Sequence, residues 1–469
     1  MAMGANRPPL PRRAPDPRFT LVASSFGLGM ALLDVAAGNV ALPSIRQTLH
    51  TDATGLSWVI DGYTLPFASF LLLSGGLGDR LGAKRLFVAG LTVFTAASAL
   101  CGAAPGIASL VAARVLQGMG AALFMPASLS ILRRAYPEPE ERARAIGIWS
   151  SLTAIAAASG PLLGGVLVHA FGWRSIFLIN VPVGLVGIAL AVRFVQESPP
   201  ATARGFDLAA QACGALGLAA LTWGIIERTA LGWGSPAIWL AFACAAAGIV
   251  AFVELERRSA APMLPLHLFR DRTFATTSAA ALLYAAAFFG GIFVLSIEFQ
   301  EVRGDSPGTA GLRIGIVTAL FGVASVFVGR LVGRHGTRAP ILGGLFILGA
   351  SALGLAELPA TAPLFLEAPL LALTGLGAAL VAPSMNAAIL SSAPASLAGV
   401  GGAVLNTSRQ VGTALGVAVF ASWFHGRPAA EAVRHALACS ALLYLGALAL
   451  ASRAPAAVSQ QAHQPMLAD

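Results

Sequence analysis

Lysine occurs once in this 469-residue chain, at Lys84, and Asp, Glu, Lys and Arg together make up only 11% of it. The lone lysine follows Ala83, so a Gly-Lys-Ser/Thr phosphate loop is absent and the chain carries no such device for hydrolysing nucleotides. A soluble domain holds about 25% charged residues, and nothing here leaves room for a soluble catalytic domain. Cysteine is equally sparse: Cys101, Cys213, Cys244 and Cys439 each lie in an apolar run, without a Cys-x-x-Cys pair. That excludes a disulfide framework and a thiolate metal site. The seven histidines fall at run ends, in loops or in the C-terminal tail, and do not make a histidine metal site. The sequence therefore calls for no metal and no cofactor. A Gly-x-Ser-x-Gly match at Gly304 to Gly308 places proline directly after the serine, in a loop; a hydrolase elbow needs a strand-to-helix turn there. The net charge of +9 does not mark a nucleic-acid binder, because the basic residues are scattered through short loops.

What the chain has in abundance is apolar sequence. Hydrophobic residues make up 57% and the mean hydropathy is +0.77. Fourteen apolar runs, from 19–42 to 434–451, are separated by charged or Pro/Gly-rich breaks. Runs of about 20 residues span a bilayer as helices, because backbone groups in lipid must bond within their own segment. The fold class expected is an all-α polytopic membrane protein with fourteen transmembrane helices. The basic stretch 1–18 reads as a retained tail rather than a signal peptide. With that tail in the cytoplasm, 21 of the 30 Lys and Arg residues fall on the inner side and 7 in outer segments, which places both termini inside. Trp58, Trp173, Trp223, Trp233, Trp239 and Trp423 then gather near the outer interface, where amphipathic rings settle.

An internal repeat organises the runs. "LGDRLGAK", Leu77 to Lys84, matches "LVGRHGTR", Leu331 to Arg338, at an offset of 254. Each copy follows the second helix of a six-helix set if the runs at 207–226 and 237–254 are insertions. The expected organisation is a tail 1–18, a six-helix bundle 19–196, two inserted helices 205–256, a second bundle 272–452 and a cytoplasmic tail 453–469. Duplicated bundles around a midplane site are the design of alternating-access transporters. Gly333 stands in the second copy where Asp79 stands in the first, so an acidic latch belongs to the first copy alone.

Charges inside the runs are costly and mark function or pairing. Asp34, Asp61 and Arg114 lie in one layer: at 1.5 Å per residue Arg114 sits about 9 Å and Asp34 about 12 Å below the outer end. Two readings stay open, a static Asp34–Arg114 pair and a pair that titrates as a cavity opens and closes. Arg409 falls near mid-depth in its own run. An acid among cations, Asp79 with Arg80, Lys84 and Arg85 beside Gly76 and Gly82, suits a charge latch between bundles. Ala156, Gly160 and Gly164 at fourfold spacing make a smooth face for close helix approach.

These stretches resemble the major facilitator superfamily, specifically its fourteen-helix drug/proton antiporters. "LLDVAAGNVALPSI" carries Asp34, Asn39 and Pro43; "GGLGDRLGAKR" carries Gly76, Asp79, Arg80, Gly82, Lys84 and Arg85; "RVLQGMGAA" carries Arg114 and Gln117. "SGPLLGG" supplies Gly160, Pro161, Gly164 and Gly165, and "GGAVLNTSRQVGTALG" supplies Asn406 and Arg409. The resemblance covers Phe19 to Ser452. It implies two six-helix bundles plus two inserted helices, in a monomer of the bacterial cytoplasmic membrane. It implies proton-coupled export of amphipathic drugs or antibiotics and no enzymatic activity. Its site residues would be Asp34, Arg114 and Asp61 for proton coupling, the loop motif as latch, and Gly160, Pro161, Gly164 and Gly165 as the antiporter seal. Asn39, Gln117, Asn406 and Arg409 would contact cargo or support coupling. A transporter of one metabolite and a non-transporting sensor remain alternatives at this stage.

Overall fold

The computed structural model describes residues 17–197, 208–259, 262, 264, 266–393 and 397–454. The tail 1–16 and the segment 455–469 lie outside them. Among the described residues every regular element is helical: α1 (Pro17–Leu49), α2 (Ala53–Leu81), α3 (Ala83–Gly102), α4 (Ile107–Ala135), α5 (Pro139–Phe171), α6 (Ser175–Leu178), α7 (Asn180–Phe194), α8 (Leu208–Leu231), α9 (Pro236–Arg258), α10 (Arg272–Ile297), α11 (Pro307–His335), α12 (Arg338–Glu357), α13 (Leu364–Ser392), α14 (Ala398–Ser422) and α15 (Ala429–Ser452). Eleven of the described helical stretches are long and apolar enough to cross a membrane, with Ser175–Phe194 counted as one.

Local chemistry sets where helices begin. Asp52, Asp271 and Ser306 each accept a bond from a backbone N–H in the first turn of α2, α10 and α11. The Ser306-Pro307 pair is thus a cap followed by a proline at N1, which is the structural content of the hydrolase-like match. One helix breaks where a single run was expected: α6 and α7 are separated at Ile179, because Pro182 has no N–H to give the carbonyl of Leu178. Another overruns its expected end at residue 299, since α10 continues into a π turn at Glu298–Val302 closed by Arg303 N–H on Glu298 O at 2.9 Å.

Packing repeats itself. In the first set α1 packs on α5 and α7, α4 on α2 and α3, and α3 on α7; in the second set α10 packs on α14 and α15, α13 on α11 and α12, and α12 on α15. The correspondence of α2 with α11 is the one that the loop repeat marks in sequence. The two bundles meet along two seams, α5 on α11 and α2 on α14. These seams are equivalent under the same internal symmetry. Between the two sets in sequence, α8 and α9 pack on each other, and α8 lies along the α2–α14 seam, touching both.

The apolar core is not uniform along the bundles. At the end carrying the α1–α2 turn, one cluster runs across both bundles, joining Ala37, Leu42 and Val59 to Phe293, Ile314 and Phe420. Toward the end carrying Pro17 and Ser452 it divides into a cluster confined to the first bundle, around Phe87, Phe94 and Phe124, and one confined to the second, around Phe274, Leu345 and Tyr284. Among the described residues, the apolar core fuses the bundles at the first of these two ends.

Candidate functional site

Asp34 sits midway along α1, fully buried, just where the shared core gives way to the divided ones. Its carboxylate receives three hydrogen bonds. Arg114 Nη1 donates to Oδ2 at 2.6 Å, while Gln117 Nε2 and Asn180 Nδ2 donate to Oδ1 at 2.9 and 2.8 Å. Gln117 also donates to Ser98 Oγ at 2.8 Å and accepts from Arg114 at 2.7 Å. Arg114 Nε donates to Val59 O at 3.0 Å, and its guanidinium lies 4.5 Å from the Tyr63 ring centre and 5.6 Å from that of Phe177. One carboxylate therefore draws α1, α4 and α7 together, with α2 and α3 attached through Arg114 and Gln117.

The break between α6 and α7 has a use here. Asn180 opens α7, and its amide reaches Asp34 from that helix terminus. Neither Asn180 nor Ser98 was singled out in sequence, although Asn180 lies in "WRSIFLINVPVG", a stretch that resembles a further signature of the same subfamily.

Asp61 shares the layer of Asp34 but not its network. It is fully buried on α2, and both its oxygens lack a hydrogen-bond partner among the described residues. Gln117 joins the Asp34 cluster, whereas Asn39 does not. Asn39 Nδ2 bonds its own helix at Val35 O, and its backbone carbonyl accepts from Ser296 Oγ of α10 at 2.5 Å. On α14, Asn406 is exposed and Arg409 half-buried, with Tyr284 as its electrostatic neighbour.

The glycines of α5 divide between two partners. A methyl on Gly160 would overlap that of Ala36, and one on Gly164 would come within 2.8 Å of Ala37 Cα, so the fourfold face packs on α1 inside its own bundle. The bundle-to-bundle contact is made one residue later, where a methyl on Gly165 would stand 2.7 Å from Pro307 O and one on Gly311 would overlap Pro161 O. Backbone meets backbone across the α5–α11 seam.

In the loop motif, Gly82 holds φ +87° between α2 and α3. Lys84 Nζ donates to Val192 O at 2.9 Å and Arg85 pairs with Glu197 at 3.3 Å, both within the first bundle. Arg80 is exposed. Gly76 and Asp79 are helical, and the surroundings of their side chains lie outside the described residues.

Sequence reading did not assemble a second charge cluster, although two of its members, Arg303 and Asp305, lie in "QEVRGDSPGTAGL", a stretch that resembles another signature of the same subfamily. Glu298, Arg303, Asp305, Arg313 and Glu367 converge at the fused end of the second bundle. They sit at run edges and in a loop, so hydropathy alone assigns them to solvent.

The comparisons with known proteins agree on one family. The Major Facilitator Superfamily profile matches residues 24–417. The methylenomycin A resistance protein of Streptomyces coelicolor is 37% identical over 87% of this chain and 87% of its own. The multidrug resistance protein Stp of Mycobacterium tuberculosis is 38% identical over 86% of this chain and 75% of its own. The tetracenomycin C resistance and export protein of Streptomyces glaucescens is 34% identical over 85% and 74%. Among solved structures, the POT family transporter PepTSo superposes with a TM-score of 0.69 over 93% of this chain and 97% of its own, at 14% identity; that likeness bears on fold alone.

Proposed function

This chain belongs to the major facilitator superfamily, and from that premise we propose that it drives drug or antibiotic efflux with a proton gradient, through the acids of its first bundle. It is a multi-pass membrane transporter, and its relatives are named for resistance and export. The coupling step and the direction of the cycle are our reading.

The observation that carries the reading is the pairing, in a single layer, of one saturated buried acid with one that has no partner among the described residues. Protonating Asp34 removes its charge from Arg114 and costs it acceptor capacity toward Gln117 and Asn180, which loosens α1 from α4 and α7. Protonating Asp61, or placing a cationic cargo against it, breaks no existing bond. Asp34 then works as the switch on helix packing, and Asp61 as the group that loads and unloads. A charge crossing 100 mV is worth about 2.3 kcal/mol, roughly a 50-fold cargo gradient.

The excess of basic residues beside Pro17 and Ser452 supports a cytoplasmic position for that end. The fused end then faces out. A core shared at that end alone, among the described residues, supports reading this as the state that collects cargo from inside. The α5–α11 backbone contact at Gly165 and Gly311 supports the role of the helix-5 motif as a seal. We further assign the protein to a bacterial cytoplasmic membrane and to a monomeric working unit, with protons and a small amphipathic substrate as its ligands. The test is uphill efflux from proteoliposomes under an imposed pH gradient, measured for wild type, Asp34→Asn and Asp61→Asn. Undiminished uphill transport in both variants would refute the assignment.

A further inference from the structure

We propose that the cluster of Glu298, Asp305 and Glu367 with Arg303 and Arg313 is a proton-binding site of the second bundle, separate from Asp34 and Asp61, whose occupancy keeps the fused end shut. Arg303 Nη2 lies 2.9 Å from Glu298 Oε1 and 3.4 Å from Glu367 Oε1. Arg313 Nε lies 2.6 Å from Asp305 Oδ2, and its Nη1 pairs with Glu367 Oε2. Both guanidiniums also lie against the Phe299 ring, at 5.8 and 5.5 Å. Arg303, Glu298 and Glu367 are almost completely enclosed, with side-chain exposures of 5, 7 and 0%.

The charge count leaves a surplus. Three carboxylates face two guanidiniums, and Glu298 Oε2 is buried with no partner among the described residues. An uncompensated charge in such a place is far more costly than a neutral acid, and a proton on that oxygen removes it. The surrounding charged groups do not remove it. On α1, Arg46 is matched by Glu301 of the π turn at 2.5 Å. On α15, which also packs on that turn, Arg434 pairs with Glu357 and His435 with Glu431 at the exposed rim. The proton therefore belongs to the cluster as a shared unit, with Glu298 as its open position.

The π turn joins this site to the seal. A π turn inserted in a helix re-aims side chains and is frequent at functional positions. Here Glu298 enters the cluster, while Gln300 Nε2 donates to Val40 O of α1 at 3.0 Å and Glu301 holds Arg46. One turn earlier Ser296 bonds Asn39 O. These bonds cross from one bundle to the other. Loss of the proton leaves a bare charge in a closed site, and admitting water relieves it; opening draws the π turn away from α1. Proton binding at this site stands apart from the efflux reading above, which supplies only the direction of the cycle.

The experiment uses the full chain purified in detergent. Infrared difference spectra record the C=O stretch of neutral carboxylic acids as pH rises. We expect a band that titrates away in wild type, with one component missing in Glu298→Gln, retained in Asp34→Asn and Asp61→Asn, and regained in Glu298→Asp. In parallel, the pair Asn39→Cys and Ser296→Cys reports closure by cross-linking, compared at each pH with and without Glu298→Gln. As pH rises, the yield in the chain that keeps Glu298 should fall relative to the chain carrying Glu298→Gln at the same pH. An identical band in wild type, Glu298→Gln and Glu367→Gln would overturn the proposal, as would a yield ratio that stays constant across the pH range. So would loss of the band on adding Na⁺ at constant pH, which would make the site one for a metal cation. Neither readout requires transport, so a failure of proton-driven efflux leaves this result separately legible.

Discussion

The Asp34–Arg114 pair allows a quantitative test by a double-mutant cycle of Asp34→Asn and Arg114→Gln. Removing one partner of a buried pair costs about 3 to 5 kcal/mol, because the other charge is left without compensation. Asp34→Asn belongs at the lower end. Its amide oxygen still accepts from Gln117 or Asn180, while Arg114 keeps Val59 O, Gln117 Oε1 and the faces of Tyr63 and Phe177. A guanidinium over an aromatic ring in a dry site retains about 2 kcal/mol of attraction. We therefore expect about 3 kcal/mol for Asp34→Asn and more for Arg114→Gln, which leaves the carboxylate bare of its cation. The coupling energy should reach about 2 kcal/mol, within the range for groups in one network. Thermal or denaturant unfolding in a fixed detergent gives all four corners of the cycle, and proton-driven efflux is measured on the same preparations. A coupling below about 0.5 kcal/mol, the scale of an exposed ion pair, would refute the geometry argued here. Normal uphill efflux by Asp34→Asn at normal membrane abundance would refute its role as the switch.

Asp61→Asn removes no hydrogen bond among the described residues and no charge pair, so membrane abundance and unfolding stability should not fall below wild type while uphill efflux is lost. Asn180→Ala deletes one bond to a charged acceptor and should cost about 1.5 to 3 kcal/mol, measured by unfolding, with no change in membrane insertion. Gly311→Ala forces a methyl into Pro161 O; overpacking of this kind costs about 1 to 3 kcal/mol, and accessibility of Asn39→Cys to an external thiol reagent should rise. A reporter fused after Asp469 should be active only in the cytoplasm, and periplasmic activity there would refute the assigned orientation.

The sequence by itself determined the solvent of this protein and the layout of its helices. Apolar runs long enough for a bilayer have few structural solutions, and the repeat of Leu77–Lys84 at Leu331–Arg338 marked α2 and α11 as counterparts before any contact was known. It also brought Asp34 and Arg114 forward, because a charge in an apolar run stands out against its neighbours, and Gln117 through the resemblance of "RVLQGMGAA" to the family's helix-4 segment. Tertiary structure decided the partners. The small face of Ala156, Gly160 and Gly164 pointed to a contact between bundles, yet Gly160 and Gly164 rest on α1 and the contact with α11 falls to Pro161 and Gly165; a helical stripe says that something packs closely, not what. Asp34 and Asp61 look alike in sequence, one acid in each apolar run, and only packing gives three donors to the first and, among the described residues, none to the second. The charge cluster at Glu298 and Glu367 was hidden for the opposite reason. Charges at run ends look solvated one at a time, and burial arises only when the ends of α10, α11 and α13 close over one another.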